Sequence, residues 1–511
     1  MPEPCKLVEG EPCAFCRELE EFDIKYQAIL EGLAGQRRNI LQRINEHHDP
    51  FIQRLPLELA SQIFVSCLPQ HVFDSDPAHV SLLWDASKMS RIKPFNIVLG
   101  SICQSWRRIA WSTPNLWSTL PIRLHLFDTK TQMELTLEWL GRSAQIPLDV
   151  AVTYSDAYNH DTETSEELTE ENAGLWKPLI DIVNGCSNRW RTFVVDVPEL
   201  VYPYIVGNGK PTSILKGLKV GPAFSIGRFP TGLSLTNALP MPSDLVSNTV
   251  PLRLIGIGWS NLTIVRINGL YINECLVLLT WAPRLITFEI NRLEPGQDEI
   301  LPSPAPITHN RLECLDIFGL AEKETAQELL DFLILPSLVD LLYDSSYNPP
   351  DNVSAFLQRS CCRLTDLRIL DYDSDHFSEM APVSGLQAWK SLKYHGHLDS
   401  CLRCLNTPTD GGNSSIFLPN LHKLTIMDEP GNWSGLLDLF LSRPLKTLSV
   451  YLTHSTGETA SIDKETALRL RDLVEKGNDI TIMGQLLGEG QVRDLLPWFI
   501  EVLTSEKRMG D

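Results

Sequence analysis

Cys13-Ala14-Phe15-Cys16, with His47-His48 downstream, supplies the ligand types of a zinc site. Tetrahedral zinc needs both pairs at one ion, and roughly thirty residues of helical character keep them apart. Cys401-Leu402-Arg403-Cys404 offers another cysteine pair, but only a tertiary fold could bring it to the first. We therefore expect no metal centre and no cofactor. Covalent chemistry is no better served. The chain has no phosphate-cradling glycine loop, no His-Glu-x-x-His, no Gly-x-Ser-x-Gly elbow and no kinase signature. Its twelve histidines are scattered, and His395 and His397 follow a predicted strand with no acid or nucleophile beside them. No cysteine stands in a context that would lower its pKa and make it a nucleophile. The expectation is a chain that is not an enzyme. A hidden active site in 121–511 would require a deep pocket with converging ionisable groups.

The other chemistry available is charge. From Trp190 onward an apolar residue recurs at i, i+3 and i+5. The instances are Trp190/Phe193/Val195, Leu215/Leu218/Val220, Leu262/Val265/Ile267, Leu285/Phe288/Ile290, Leu312/Leu315/Ile317 and Leu338/Leu341/Tyr343. Leu364/Leu367/Ile369, Trp389/Leu392/Tyr394, Leu421/Leu424/Ile426 and Leu445/Leu448/Val450 continue the series. From Leu262 on the steps run from 23 to 32 residues, near the period of leucine-rich repeats. The longer step from Leu215 to Leu262 predicts a degenerate unit in the Pro- and Gly-rich stretch 221–250. Residues at i+2 and i+4 of each strand point away from the core, toward the concave face of such an array. They include Arg266, Glu289, Asp316, Asp340, Asp366, Arg368, Lys393 and Lys423, acidic in the middle and basic at the end. One reading is a target-binding row in which mixed charge sets orientation. The other is a solvent-facing row that carries polar residues in any case.

Short helices are predicted between the strands, at Glu274–Trp281, Thr325–Leu333, Val353–Ser360 and Leu436–Ser442. Each unit is then one strand and one helix. A single unit cannot bury its apolar face, so units must stack into an irregular leucine-rich-repeat-like α/β solenoid with a parallel sheet. Upstream, a helix over Thr131–Ser143 carries Leu135, Leu137, Trp139 and Leu140, and Leu148, Val150 and Val152 alternate as a half-buried strand. Asp156–Asn172, with Thr164-Ser165-Glu166-Glu167, reads as a solvated acidic loop. Lys464–Lys476 and Val492–Leu503 are predicted helices that cap the array. Cys361-Cys362 is expected to straddle a core-facing and a surface position.

Residues 14–48 place Leu19, Phe22, Tyr26, Ile29, Leu33 and Ile40 at alternating steps of three and four. That is a heptad seam, weakened by Gln36 on the seam and by Gly32 and Gly35. It predicts a short N-terminal helix that forms a coiled-coil homodimer or folds back on its own chain. The segment from Phe51 to Leu120 holds two amphipathic pieces. The first reads Arg54-Leu55-Pro56-Leu57-Glu58-Leu59 and then Gln62-Ile63-Phe64, with Pro56 suited to a first helical turn. The second, from Ile97 to Trp111, reads Ile102-Cys103-Gln104-Ser105-Trp106-Arg107-Arg108-Ile109-Ala110 and ends at Thr113-Pro114-Asn115-Leu116-Trp117.

Those residues resemble the F-box, a small all-α domain with the pattern Leu-Pro-x-Glu-Leu, Ile-Phe, then Val-Cys-x-x-Trp-Arg. The wording of the second half is similar to F-box proteins of mushroom-forming fungi. An insertion over Gln70–Lys93 separates the halves. The resemblance implies a substrate-recognition subunit of an SCF-type cullin-RING ubiquitin ligase. Its F-box would dock a Skp adaptor through Leu55, Pro56, Leu57, Leu59, Ile63, Phe64, Ile102, Cys103 and Trp106. A cullin would join through the adaptor, and the repeats would hold a protein target. A scaffold that binds partners without promoting ubiquitination is the second reading. The expected organisation is 1–50 N-terminal helix, 51–120 F-box, 121–460 repeat array and 461–511 cap.

Composition narrows the class. With 64 acidic against 44 basic residues the formal charge is −20, which disfavours nucleic acid or anionic membrane as the main partner. Met1-Pro2-Glu3-Pro4-Cys5 lacks the pattern of a secretory signal, and Leu329–Tyr343 is interrupted by Asp331, Pro336 and Asp340. An intracellular chain, cytoplasmic or nuclear, is expected, with its twelve cysteines reduced and its sequons at Asn261, Asn352, Asn413 and Asn432 unused.

Overall fold

The computed structural model describes residues 13–48, 55–68, 95–124, 129–154, 173–210, 214–221, 232–235, 239–295, 306–320, 325–344, 350–371, 390–396, 421–427, 433–443, 445–452, 464–484 and 493–497, with isolated positions 402, 405, 418, 420, 462 and 500. The Gln70–Lys93 insertion, the acidic run Asp156–Asn172, Trp389, His397, Cys401 and Cys404 lie outside the described residues. So do the side chains of Tyr343, His47 and His48. The fold is α/β, with an N-terminal helix and a large open parallel sheet. The chain forms two compact units, Met1–Leu120 with Lys130–Leu148, and Pro121–Thr129 with Asp149–Asp511.

The first unit holds α1 (Ala14–His48), α2 (Leu57–Ser66), α3 (Phe95–Ile102) and α4 (Gln104–Ser112), followed by a 3-10 turn at Pro114–Trp117. Next come β1 (Thr119–Leu124), which belongs to the second unit from Pro121 on, α5 (Thr129–Arg142) of the first unit from Lys130 on, and β2 (Leu148–Tyr154), which belongs to the second unit from Asp149 on. One helix was expected over Ile97–Trp111, but two are present, divided at Cys103. Cys103 is extended, with φ −154° and ψ 172°, and its Sγ accepts the Trp106 amide at 3.4 Å. It acts as an N-cap, a role usually taken by an oxygen side chain. Ala60, Phe64, Leu99, Ile109, Ala110, Leu116 and Trp117 form the interior. Trp139 on α5 closes it, stacking edge-on to Trp117 at 4.9 Å and donating its indole N–H to the Trp117 carbonyl at 3.0 Å. This explains why 130–148 belongs to the helical unit. Leu135 and Leu137, on the same helix, stay exposed.

In the second unit the chain continues through α6 (Lys177–Gly185), β3 (Trp190–Asp196), β4 (Gly217–Gly221), β5 (Leu233–Ser234), β6 (Asp244–Asn248), β7 (Ile255–Gly256) and β8 (Ile264–Tyr271). There follow α7 (Ile272–Trp281), β9 (Thr287–Glu294), β10 (Ile307–Thr308), β11 (Cys314–Leu320), α8 (Thr325–Asp331), β12 (Leu333–Ile334) and β13 (Asp340–Asp344). Last are α9 (Pro350–Ser360), β14 (Asp366–Asp371), β15 (Ser391–Gly396), β16 (Lys423–Ile426), α10 (Trp433–Ser442), β17 (Thr447–Tyr451), α11 (Lys464–Glu475), β18 (Asp479–Gly484) and β19 (Arg493–Asp494). Among the described residues one sheet has fifteen strands in the order β1-β2-β3-β4-β6-β8-β9-β11-β13-β14-β15-β16-β17-β18-β19. From β3 to β18 each pairing is parallel.

The i, i+3, i+5 residues build the interior of this unit: Phe193, Leu262, Leu285, Phe288, Leu312, Leu315, Leu424 and Leu448 are all fully buried. Successive triplets stand in register, Val265 beside Phe288, Phe288 beside Leu315 and Leu315 beside Leu341, so each strand covers the apolar edge of the last. The degenerate unit is β6, where Pro242, Leu245 and Ser247 take the three places. Ser247 is tolerated inside because its hydroxyl donates to the Val250 carbonyl at 3.1 Å. Four successive strands carry the same kink toward their C-terminal ends, β6 stopping at it and β8, β9 and β11 continuing past it. Thr249, Gly269, Arg292 and Gly319 have φ of 57°, 80°, 69° and 68°, each just after the residues aligned as Asn248, Asn268, Asn291 and Phe318.

Two expectations change. The strand at Leu148–Tyr154 is buried on both faces, not half-buried. Asp149 on its second face is matched by the guanidinium of Arg191, with Nε to Oδ1 at 2.9 Å. The helix predicted over Val492–Leu503 starts later than expected: Arg493–Asp494 form β19, antiparallel to β18, and Leu496, Pro497 and Ile500 are helical. There the Leu495 amide bonds the Ile482 carbonyl at 2.6 Å and Asp494 accepts the Ile482 amide at 3.0 Å, which occupies an otherwise open sheet edge. Cys361 is exposed and left-handed at φ 49°, ending α9, and Cys362 is half-buried. Among the described residues no helix is long and apolar enough to cross a membrane.

Candidate functional site

In the helical unit the expected docking residues divide by depth. Pro56 precedes α2 with φ −53° and ψ 146°, which aims Leu57 and Glu58 into the first turn. Leu57 and Leu59 are 48% and 46% exposed, and Leu55 and Ile63 are half-buried. Phe64 is only 2% exposed and belongs to the interior, where its ring packs on Trp106 at 4.8 Å. On the second segment Ile102 is 51% exposed, Cys103 serves as the cap described above and Trp106 is half-buried. The structure adds Ile97 and Val98, also exposed on α3. Their signal in the sequence is the run Phe95-Asn96-Ile97-Val98-Leu99, in which only Leu99 of the three aliphatics turns inward.

The supports beneath this surface are specific. Gly100 lets α3 approach α4 so closely that a Cβ there would stand 1.7 Å from the Trp111 ring, and its carbonyl accepts Arg107 Nε at 2.7 Å. Thr113 donates to Ile109 O at 2.7 Å and bonds Ser61 Oγ at 3.0 Å, tying the end of α4 to α2. Arg142 lies over the faces of Trp111 and Trp117, 4.4 Å and 4.5 Å from their centroids. The helices are thus fixed, while Leu57, Leu59, Ile97, Val98 and Ile102 remain in water.

In the sheet unit the expected charged residues lie in two files. Arg266, Glu289, Asp316, Arg368 and Lys393 occupy the i+4 file, with Leu342 between Asp316 and Arg368. Asp340, Asp366 and Lys423 occupy the i+2 file, which Cys314 and Ser391 also join. The middle of the row binds itself. Arg266 Nε donates to Glu289 Oε2 at 2.9 Å, and Arg368 donates to Asp340 Oδ2 at 3.0 Å and to the Asp316 carboxylate. Glu289 and Asp316 are buried at 6% and 8% exposure.

Burial pushes Glu289 up to about 6 against the pull of Arg266, with Asp316 adding repulsion. Burial likewise raises Asp316, opposed by Arg368. Burial works to lower the pKa of Arg368, but the charges of Asp316 and Asp340 override it and hold the guanidinium charged. Cys314 Sγ lies 3.6 Å from Asp316 Oδ1 and 3.8 Å from Asp340 Oδ2. Burial and those carboxylates raise its pKa, which makes it a poor nucleophile. Asp366 accepts from Thr365 Oγ1 at 2.7 Å, Lys393 is half-buried and Lys423 is exposed.

Another buried acid, outside the charged row, escaped the sequence reading. Asp196 ends β3 at 8% exposure, and burial pushes it up to about 7. Nearby, Tyr202 Oη and Glu199 Oε2 are buried without a hydrogen-bond partner. Among the described residues no three His, Cys, Asp or Glu side chains gather closely enough to hold a metal. Neither a scan against protein-family models nor a search of curated proteins finds a match to the chain.

Proposed function

We propose that the chain is the substrate-recognition subunit of an SCF-type cullin-RING ubiquitin ligase. Its helical unit is an F-box that docks a Skp adaptor, and its leucine-rich-repeat-like sheet presents a protein target. The supporting observation is the division of apolar side chains in the helical unit. Phe64, Leu99, Ile109 and Trp117 complete a small core, yet Leu57, Leu59, Ile97, Val98 and Ile102 stay exposed on α2 and α3. A helical unit that had only to fold would not keep five large apolar groups in water, whereas one that binds an apolar partner surface gains from them. The motif at Leu55-Pro56-Leu57-Glu58-Leu59 and Ile102-Cys103-Gln104-Ser105-Trp106-Arg107 gives that partner its class by resemblance. The subunit contributes proximity, raising the effective concentration of a target lysine at the charged ubiquitin carrier and supplying no nucleophile of its own.

On the sheet, the Arg266–Glu289 and Asp316–Arg368–Asp340 contacts form a fixed platform. Asp366 and Lys423, which keep solvent access outside that platform, are the groups that would read a target's charge. The test is co-expression with a fungal Skp adaptor, followed by size-exclusion chromatography beside a Leu57→Asp/Leu59→Asp variant. The wild type is expected to co-elute with the adaptor and a cullin, and the variant to elute alone with its unfolding transition intact. A folded wild type that elutes without adaptor refutes the reading, and an adaptor complex that excludes cullin reduces the protein to a scaffold.

A further inference from the structure

We infer that α1 pairs with α1 of a second copy of this chain, and that the two helices run antiparallel. With 35 residues, the helix is about 50 Å long at 1.5 Å per residue. Between Arg17 and Ile44 each residue but Gly35 is exposed, and Leu19, Phe22, Ile29, Leu33 and Ile40 of the heptad seam are all among the exposed apolar side chains. An exposed apolar stripe along a helix of this length is a surface for a partner helix.

The charges choose the partner and its direction. Residues 17–30 carry Glu18, Glu20, Glu21 and Asp23 against Arg17 and Lys25, four acids minus two bases, a net −2. Residues 31–44 carry Arg37, Arg38 and Arg43 against Glu31, three bases minus one acid, a net +2. A parallel pair sets like halves together. An antiparallel pair sets each acidic half beside a basic one, so a second copy is the complementary surface.

One register also accounts for the seam's defects. When Ile29 opposes Leu33 of the second copy, heptad geometry sets Phe22 against Ile40 and Tyr26 against Gln36. The Gln36 amide, which would oppose a leucine one heptad away, then meets a phenol that can accept or donate. Flanking the seam, Asp23 falls beside Arg37, and Leu30 falls beside Leu30 at the two-fold axis. Leu30 is exposed in a single chain although it lies off the seam, and this register buries it.

The inference is independent of the adaptor reading. The test uses the full chain. Its mass in solution is measured by light scattering at micromolar concentration, then Phe22→Cys and Ile40→Cys chains are mixed and mildly oxidised, and cross-linked peptides are identified by mass. A species of twice 57.6 kDa with a disulfide between positions 22 and 40 is expected. Ile29→Lys/Leu33→Lys is expected to return the monomer without altering the rest of the unfolding transition. A dimer linked through 22 to 22 overturns the antiparallel arrangement. A monomeric wild type, or one whose α1 is covered only by a different protein, overturns self-pairing.

Discussion

Arg368 on β14 reaches past β13 to the carboxylate of Asp316 on β11, donating to Asp340 at 3.0 Å on the way. Leu342 on the intervening strand has no polar end to stop it. One guanidinium therefore neutralises two carboxylates from two different strands, and Asp316 has almost no water to turn to. Arg368→Ala should destabilise the sheet unit by about 3 kcal/mol, because it leaves a buried carboxylate uncompensated. Replacing Arg368, Asp316 and Asp340 together by apolar residues should recover most of that loss. Urea unfolding followed by far-UV circular dichroism measures both, and equal losses in the two variants would remove the ion-pair explanation.

Asp196 makes stability depend on pH in the direction opposite to an ion-paired acid. Its folded pKa lies near 7 and an unfolded aspartate near 3.9, so the folded state holds a proton that the unfolded state has lost over that window. Stability then falls as pH rises from about 4 to about 7, and is flat above that range. The full swing is on the order of 4 kcal/mol for a shift of roughly three units. Asp196→Asn should remove Asp196's share of this slope, leaving the smaller share due to Glu289, and be more stable than the wild type at pH 8. Denaturation midpoints at pH 5 and pH 8 decide it, and a wild type that gains stability between them contradicts the assignment.

What the sequence disclosed depended on whether one residue or several decided the outcome. The strands at Leu262, Leu285 and Leu312 were readable because a single triplet of apolar residues fixes each one, whatever its neighbours do. The unit at β6 was legible only as an over-long step and not as a strand, because Pro242 and Ser247 replace two of the three apolar residues, and the Ser247–Val250 hydrogen bond makes the buried serine tolerable. The charged row was legible as a row. Its self-pairing was not, since it depends on the register between strands joined by segments of unequal length. The same limit hid the break at Cys103. A sulfur cap has little signature, and the close approach allowed by Gly100 is a property of two helices together.

Gly100 gives the sharpest test of that helical packing. A methyl group at this position meets the Trp111 ring at 1.7 Å and 2.1 Å, with Arg142 already against the other parts of the same aromatic cluster. The ring cannot yield without disturbing Trp117, 5.5 Å away centre to centre. Gly100→Ala should lose about 2–3 kcal/mol from the helical unit, as overpacked cores do. Near-UV circular dichroism of the tryptophans reports it directly, and an unchanged signal with unchanged stability would mean that α3 and α4 stand further apart.

Leu59 and Phe64 share one helix, yet they should respond to substitution in opposite ways. Phe64→Ala removes a ring buried against Trp106 and should cost about 3–5 kcal/mol, so any loss of adaptor binding would follow unfolding. Leu57→Asp/Leu59→Asp exchanges exposed side chains and should alter stability by no more than about 0.5 kcal/mol. If that surface docks the adaptor, the double variant loses binding at least a hundredfold, since charge is then buried against an apolar face. Melting curves beside binding isotherms separate the two effects. A Leu57→Asp/Leu59→Asp protein that keeps wild-type affinity would leave α2 with a purely structural role, and a Phe64→Ala protein of undiminished stability would remove Phe64 from the core.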